Sequence, residues 1–338
     1  MKRVNNIFDK ICSLDNLRLA DEKARQRKQN SYGVRLHDKH KEQHLQELSK
    51  MMLNGEYKTS PYSIFTIHEP KEREIYRLPY YPDRIVHHAI MNVLEPIWVS
   101  IFIKETYSCI KDRGIHKAVN DVKDALRQDA EGSRYCLKID IRKFYPSIDH
   151  DVLKGIIRKK IKDVRLLKML DEIIDSADGV PIGNYLSQFF ANLYLAYFDH
   201  WVKEVAQVQH YFRYADDMVF FSSDKDSLHR LLADIKVQLA ELKLEVKDNW
   251  QIFPTDVRGV DFLGYVFYHD HTRLRKSIKK RMFRKVGKVK RLAKAKKHQA
   301  MASWMGWLNY CNSKRLKVKL NQRLQDEIFK QTGSTKVR

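Results

Sequence analysis

The chain has 338 residues, 43% of them apolar, with 64 Lys plus Arg against 42 Asp plus Glu and a formal net charge of +22. That length allows two or three subdomains sharing a sizeable core, and that apolar share excludes a disordered tail. So positive a chain repels itself as a lone globule and suits a working state that holds a polyanion, whose phosphates offset the charge and release counterions. The four cysteines, Cys12, Cys109, Cys136 and Cys311, make no CxxC pair and have no His at zinc spacing. They read as buried or incidental thiols in a reducing compartment. MKRVNN leads into no apolar h-region, and no apolar run approaches ~18 residues, so the expectation is a cytoplasmic protein with no membrane partner. Eight prolines and 12 glycines are too few for long linkers or repeats.

In chain order, the first thirty residues are mixed and basic. A helix is expected from about Leu36 to Asn54, with Leu45, Leu48 and Met52 at helical spacing and Gly55 as its stop. Tyr62–His68 alternates like a strand, and another short strand starts near Ile75. A helix follows Asp83, with Ile85, Ala89, Val93 and Ile97 on one side and Pro96 marking its end. A further helix follows Gly114, carrying Ile115, Val119, Val122 and Leu126. YCLKIDI then alternates, with Leu137, Ile139 and Ile141 on one face and Cys136, Lys138 and Asp140 on the other. Helices are expected from Asp149 to Ile161, from Ser187 to about Val205 and from Leu228 to Leu242. His210–Tyr214 and Met218–Ser222 read as strands joined by Ala215-Asp216-Asp217, a hairpin signal. Phe262–Tyr268 and a strand from Leu274 suggest a second hairpin, turning at HDHT. From Arg273 the chain becomes a basic helical region that continues through Lys297. Farther along the C-terminal region, Arg273 to Leu320, Trp304 and Trp307 share a helix face, read as packing in the thumb core in preference to base stacking.

The chemistry is carried by carboxylates. YADD puts two acids side by side at a hairpin tip between apolar strands, where like charges repel unless a cation neutralises them. Asp140 supplies a third acid from another strand. Two hard cations bridging carboxylates are what phosphoryl transfer needs: one lowers the pKa of an attacking hydroxyl, the other steadies the leaving pyrophosphate. The bland alternative is a surface turn with two solvated acids.

Six blocks in order resemble reverse transcriptases. REIYRLPYYPDRIVHHA (73–89) looks like the fingers segment of the prokaryotic enzymes, and SCIKDRGIHKAV (108–119) like the next block. LKIDIRKFYPSIDH (137–150) resembles the motif with the first metal aspartate, and VPIGNYLSQFFANLYL (180–195) the following helix block. Tyr211–Phe221 carries YxDD, and GVDFLGY (259–265) looks like the primer grip. The resemblance implies an α+β fold: a right-hand polymerase with an antiparallel palm sheet, α-rich fingers and a helical thumb. Residues 1–60 would be an N-terminal extension, 61–270 fingers and palm, and 271–338 a basic helical thumb. It further implies two Mg²⁺ ions on the catalytic Asp140, Asp216 and Asp217. Tyr145 would be the aromatic gate that crowds a ribose 2′-OH, with an ordinary core ring as the alternative. Lys71 and Arg73 would hold the triphosphate, and Phe262, Leu263, Gly264 and Tyr265 the primer end. Lys247 is a candidate for the acid that protonates pyrophosphate.

The subclass turns on PIGNYLSQ. Group II intron and retroviral enzymes generally have Pro-Gln-Gly here, and group II enzymes follow with Ser-Pro; this chain has Ile182 at the Gln and Gln188 at the Pro. I-G-x-x-x-S-Q resembles the reverse transcriptases of diversity-generating retroelements. Those copy a template RNA into cDNA with errors at its adenines, so the mutated cDNA diversifies a target gene. Ile182 cannot hydrogen-bond, which should loosen the check on the nascent pair. The length leaves room for fingers, palm and thumb but none for a maturase or endonuclease domain, and the VTG and NAxxH boxes of retron enzymes are missing. Implied partners are template RNA, a primer or cDNA end, deoxynucleotides and a small basic oligomeric accessory protein, in a bacterial, archaeal or phage-encoded setting. Two readings stay open beside it: another prokaryotic class (intron-derived, phage-defence or CRISPR-associated), and a catalytically dead nucleic-acid-binding derivative.

Overall fold

The computed structural model describes residues 3–68, 72–289 and 302–322. Four helices open the chain: α1 (Phe8–Cys12), α2 (Leu14–Ala24), α3 (Tyr32–Asp38) and α4 (Lys41–Leu53). The strands β1 (Ser63–Ile67) and β2 (Arg73–Arg77) precede α5 (Ile85–Val99) and α6 (Ile115–Gln128). Strand β3 (Tyr135–Asp140) leads to α7 (His150–Lys160), α8 (Val164–Ile174), α9 (Tyr185–Tyr194) and α10 (Ala196–His200). Then come β4 (Tyr211–Tyr214), β5 (Asp217–Ser222), α11 (Lys225–Glu241), β6 (Gln251–Pro254) and α12 (Thr255–Arg258). The described elements close with β7 (Val260–Phe262), β8 (Tyr265–Phe267), β9 (Thr272–Leu274) and α13 (Lys276–Val289). Residues 302–308 and 314–322 are also helical.

The pairings named here are antiparallel: β1 with β2, β4 with β5, β3 with β6, and β8 with both β7 and β9. They belong to a two-stranded ladder, a four-stranded sheet in the order β4-β5-β3-β6, and a three-stranded sheet. The chain divides into two compact units, each drawn from three stretches of sequence. Unit 1 is 1–110, 140–207 and 233–248; unit 2 is 111–139, 208–232 and 249–338.

In unit 1 the first sixty residues form part of the core. Helix α2 packs along α5, burying Leu17, Ala20 and Ala24. The α1 amides of Ile7 and Phe8 donate to Asp163 Oδ2 at 2.9 and 3.0 Å. Asp21 is fully buried, a charge that must be paired to be tolerated. It is: Arg25 (2.6 Å) and Lys41 (3.0 Å) flank it, and Tyr80 donates to it. Burial pushes this carboxyl up, but the hydrogen bonds from Tyr80, Lys41 and Arg25 win and hold it below the usual carboxylate range. One buried acid thus ties α2 to α4 and to the chain entering α5. Helix α5 is apolar nearly all round, and Trp98 meets Phe189 and Phe190 of α9. His87 and His88 are buried within it, and that burial pushes each down to about 3.

Several expectations need correction. The helix expected over Leu36–Asn54 is two helices, broken at Lys39–His40, and the mixed opening is helical because its sparse apolar residues find α5. Pro96 lies inside α5, which runs on to Val99. The long helix expected over Ser187–Val205 is interrupted at Leu195. Phe262–Tyr268 is not one strand: Leu263 (φ 52°) and Gly264 (φ 87°) turn the chain back between β7 and β8. Sequence periodicity also missed α8 and β6; β6 has four residues, too few to show a period.

Candidate active site

The palm-type strands place the acids. Asp140 is the last residue of β3 and Asp217 the first of β5, neighbouring strands of the four-stranded sheet. Asp217 pairs across the hairpin with Tyr214, leaving Ala215 and Asp216 at its tip. Ala215 takes φ 56°, the left-handed conformation a tight hairpin demands. Arg213, wholly buried, donates through Nη1 to Ala215 O at 3.1 Å and so braces the tip from beneath. No motif reading singled out Arg213; its only signal is a charge inside an apolar strand.

Each of two carboxylates faces a lysine. Lys247 Nζ donates to Asp140 Oδ2 at 2.5 Å, and its amide donates to Asp140 O at 2.9 Å. Lys138, two residues before Asp140 on the same strand face, brings Nζ to 3.6 Å from Asp217 Oδ1 and donates to Asp261 O. That contact puts the start of β5 beside the end of β3. Asp140 Oδ1 is buried and has no hydrogen-bond partner among the described residues. A buried carboxylate oxygen is costly to leave alone, and a hard oxygen donor in that state fits a divalent cation. Among the described residues no three His, Cys, Asp or Glu side chains form a ready-made metal cage.

A strap in unit 1 gathers a second group of expected residues. Val180 N donates to Tyr145 O at 2.9 Å, and Tyr76 N donates to Ile182 O at 2.8 Å. Residues 179–183 are therefore sewn between the Tyr145 turn and β2, the strand that begins with Arg73. Two glycines make this possible. Gly179 has φ 58° and Gly183 φ 126°; a Cβ at the first would lie 2.6 Å from Tyr145 O, and at the second 2.5 Å from Tyr76 O. In the sequence Gly183 stands out only as part of I-G-x-x-x-S-Q and Gly179 not at all, although G-V-P-I-G spells the strap. Asn184, next along, donates to Tyr62 OH at 2.9 Å. Tyr145 is half-buried, with Phe144 buried edge-on at 5.5 Å. Ile182 is half-buried, and Gln188 is exposed on α9. Arg73 is exposed on β2; Lys71 lies outside the described residues.

The 262–265 turn sits within unit 2. Phe262 and Tyr265 are fully buried. Tyr265 OH donates to Trp307 O at 3.0 Å, its ring centroid 5.4 Å from that of Trp307. A Cβ on Gly264 would meet Ile278 and Trp307 at 2.6 and 2.7 Å. Trp307 is thus a packing residue against this turn, as expected for it.

Comparisons with known proteins follow the same outline. Residues 69–267, well over half of the chain, match the family model described as reverse transcriptase (RNA-dependent DNA polymerase). Protein YkfC of Escherichia coli K12 is 29% identical over 175 residues, covering 47% of this chain and 45% of YkfC. The group II intron-encoded protein LtrA of Lactococcus lactis is 24% identical over 177 residues, covering 48% of this chain and 29% of LtrA. The chain spans less than half the length of these relatives. Apo telomerase from Candida tropicalis superposes with a TM-score of 0.48 at 13% identity, covering 63% of this chain and 48% of that one. With its mixture of helices and antiparallel sheets, the fold is of the α+β, right-hand polymerase class. The chain belongs to the reverse transcriptase family.

Proposed function

We propose that this protein is an RNA-directed DNA polymerase that extends a primer along a template RNA, with Asp140, Asp216 and Asp217 as its metal ligands. The observations that carry this are made within each unit: in unit 1 Asp140 Oδ1 is buried with no hydrogen-bond partner among the described residues, and in unit 2 the β4–β5 hairpin presents Asp216 and Asp217 at its turn. Bound Mg²⁺, two ions in this reading, would lower the pKa of the primer hydroxyl and steady the pyrophosphate. The chain's own residues do the rest. Lys247 donates to Asp140 and Lys138 lies beside Asp217, which orients both carboxylates, and Lys247 would give its proton to pyrophosphate. Tyr145, fixed by the strap, crowds a ribose 2′-OH; Arg73 with Lys71 holds the triphosphate; Phe262–Tyr265 seats the primer end. Residues 61–270 would be fingers and palm, and those beyond 271 the thumb.

The finer proposal is error-prone copying at template adenines for targeted gene diversification, with a basic oligomeric accessory protein, in the cytoplasm of a bacterium, an archaeon or a phage host. Ile182 in place of a Gln supports it. The likeness to LtrA favours a second reading, an intron-derived enzyme of ordinary fidelity. Primer extension on a defined RNA, with the product sequenced and scored by template base, tests both. Absence of any RNA-templated product would overturn the polymerase reading, and uniformly low error would overturn the diversifying one.

A further inference from the structure

Unit 2 carries a cleft whose lining includes neither the carboxylate hairpin nor the 262–265 turn. Helix α6 presents Lys123 and Arg127, one turn apart, to the segment running from Leu308 to Lys317. The space between is about 610 Å³, and Lys314, Arg315 and Lys317 line its other side. No Asp or Glu lines it, and none of the five cations makes a salt bridge among the described residues. Elsewhere lysines are routinely paired: on α6 itself Lys117 meets Asp121 at 2.5 Å. Lys123 is instead half-buried, and burial followed by the neighbouring Arg127 pushes its pKa down. Collecting like charges at a partly dry site is costly unless an anion arrives.

The walls are preformed. Asn312 N donates to Thr272 O at 2.8 Å, and Asn312 Oδ1 accepts from Thr272 N at 2.8 Å. Tyr310 stacks on His116 of α6 with centroids 4.0 Å apart. Ser313 opens the helix over 314–322 by accepting from Lys317 N at 2.8 Å through its carbonyl, and donates its hydroxyl proton to Leu308 O at 2.5 Å. Its hydroxyl is therefore turned toward Leu308 and not to the amides of the first helical turn, which add positive potential to the same cleft.

We propose that this cleft binds the phosphodiester backbone of a nucleic-acid strand at a site separate from the polymerase centre, with Lys123, Arg127, Lys314, Arg315 and Lys317 matched to successive phosphates. Five charges spread across an open cleft exceed what a single small anion needs. The proposal rests on the chain handling nucleic acid, and its test is independent of catalysis. Binding of a fluorescent single-stranded RNA of about 20 nucleotides is followed by anisotropy across a salt series, for the wild type and for K123A/R127A and R315A/K317A. A single-stranded DNA of the same sequence and inorganic phosphate serve as competitors. Each double variant should weaken binding about tenfold and make the slope of log K against log[salt] shallower by about 1.4, the value for two phosphate contacts on a single strand. Primer extension on a short duplex should be unchanged. Unaltered affinity and slope in both variants would overturn the proposal. So would loss of extension in proportion to binding, which would put these residues on the primer–template path. Displacement of the RNA by millimolar phosphate would reduce the cleft to a small-anion site. Equal competition by DNA identifies a backbone reader of either strand type, and weaker competition one that reads ribose.

Discussion

At the scale of single residues, a carboxylate that faces a lysine is oriented before any cation arrives. Lys247 does this for Asp140, and Lys138 approaches Asp217; a change at Asp216, at the hairpin tip, tests metal handling. Asp216→Asn should lower primer extension more than about a hundredfold, since several kcal/mol of charge stabilisation depend on the metal. RNA affinity should stay within a factor of about two; extension at the wild-type rate would remove Asp216 from the metal site. Tyr145→Ala removes the ring expected to crowd a 2′-OH, and its product should accept ribonucleotides. Parallel extensions with ribo- and deoxynucleotides check this, and unchanged selectivity would make Tyr145 a packing ring like its neighbour Phe144. Ile182→Gln restores an amide to the strap, and one neutral hydrogen bond, about 0.5–1.5 kcal/mol, should raise accuracy roughly threefold to tenfold. The gain should be largest opposite adenine; equal error spectra from both proteins would acquit Ile182. The strands that carry the three acids were legible in sequence because YADD stands between two apolar strands and Asp140 falls on the polar face of an alternating one. Lys138 was seen only as a strand-face residue and Arg213 not at all, because what each does depends on a partner far away in the chain.

At the scale of elements, the strap over 179–183 does what neither neighbour could do alone: it fixes the Tyr145 turn and β2 in one register through two backbone bonds. Its price is two backbones too close for any side chain. Gly183→Ala would force φ 126° on an L residue and drive Cβ to 2.5 Å from Tyr76 O, at a cost of about 1–3 kcal/mol. Urea denaturation should show the unfolding free energy falling by that amount, and extension should suffer through misplacement of Ile182. A variant as stable as the wild type would mean the strap is not closely packed. Strongly periodic elements such as α6, α7 and the β4–β5 hairpin were readable from sequence. The breaks were not: Leu195 and the Leu263-Gly264 turn interrupt runs whose apolar pattern continues unbroken, because both sides of each break are buried. Helices α1 and α2 were also hidden, since their order comes from contact with α5 more than from a periodic face of their own.

At the scale of the whole molecule, the net charge of +22 is offset locally by ion pairs such as those around Asp21 and Asp140. Lysines already stand beside Asp140 and Asp217 in the metal-free protein, so its stability should not depend on the ion. Chelation should abolish extension while moving Tm by no more than about 2 °C, and added Mg²⁺ should restore activity; a large fall in Tm on chelation would show that the ions hold the fold together. The described residues include no helix long and apolar enough to cross a membrane. The interleaving of the two units has a consequence for how the chain is made. Unit 1 needs residues as early as Phe8 and as late as Lys247, and unit 2 starts at Lys111 but draws on residues beyond Asn249. A polypeptide emerging from the ribosome therefore passes through a long stage in which α5, with Val86, Ile90 and Leu94, has its first partners but not α9, and β3 has neither of its sheet neighbours. During that stage the growing chain is both sticky and strongly cationic. Its yield in a cell should be governed by chaperone supply and by how quickly translation reaches residue 248, more than by the equilibrium stability of the finished protein.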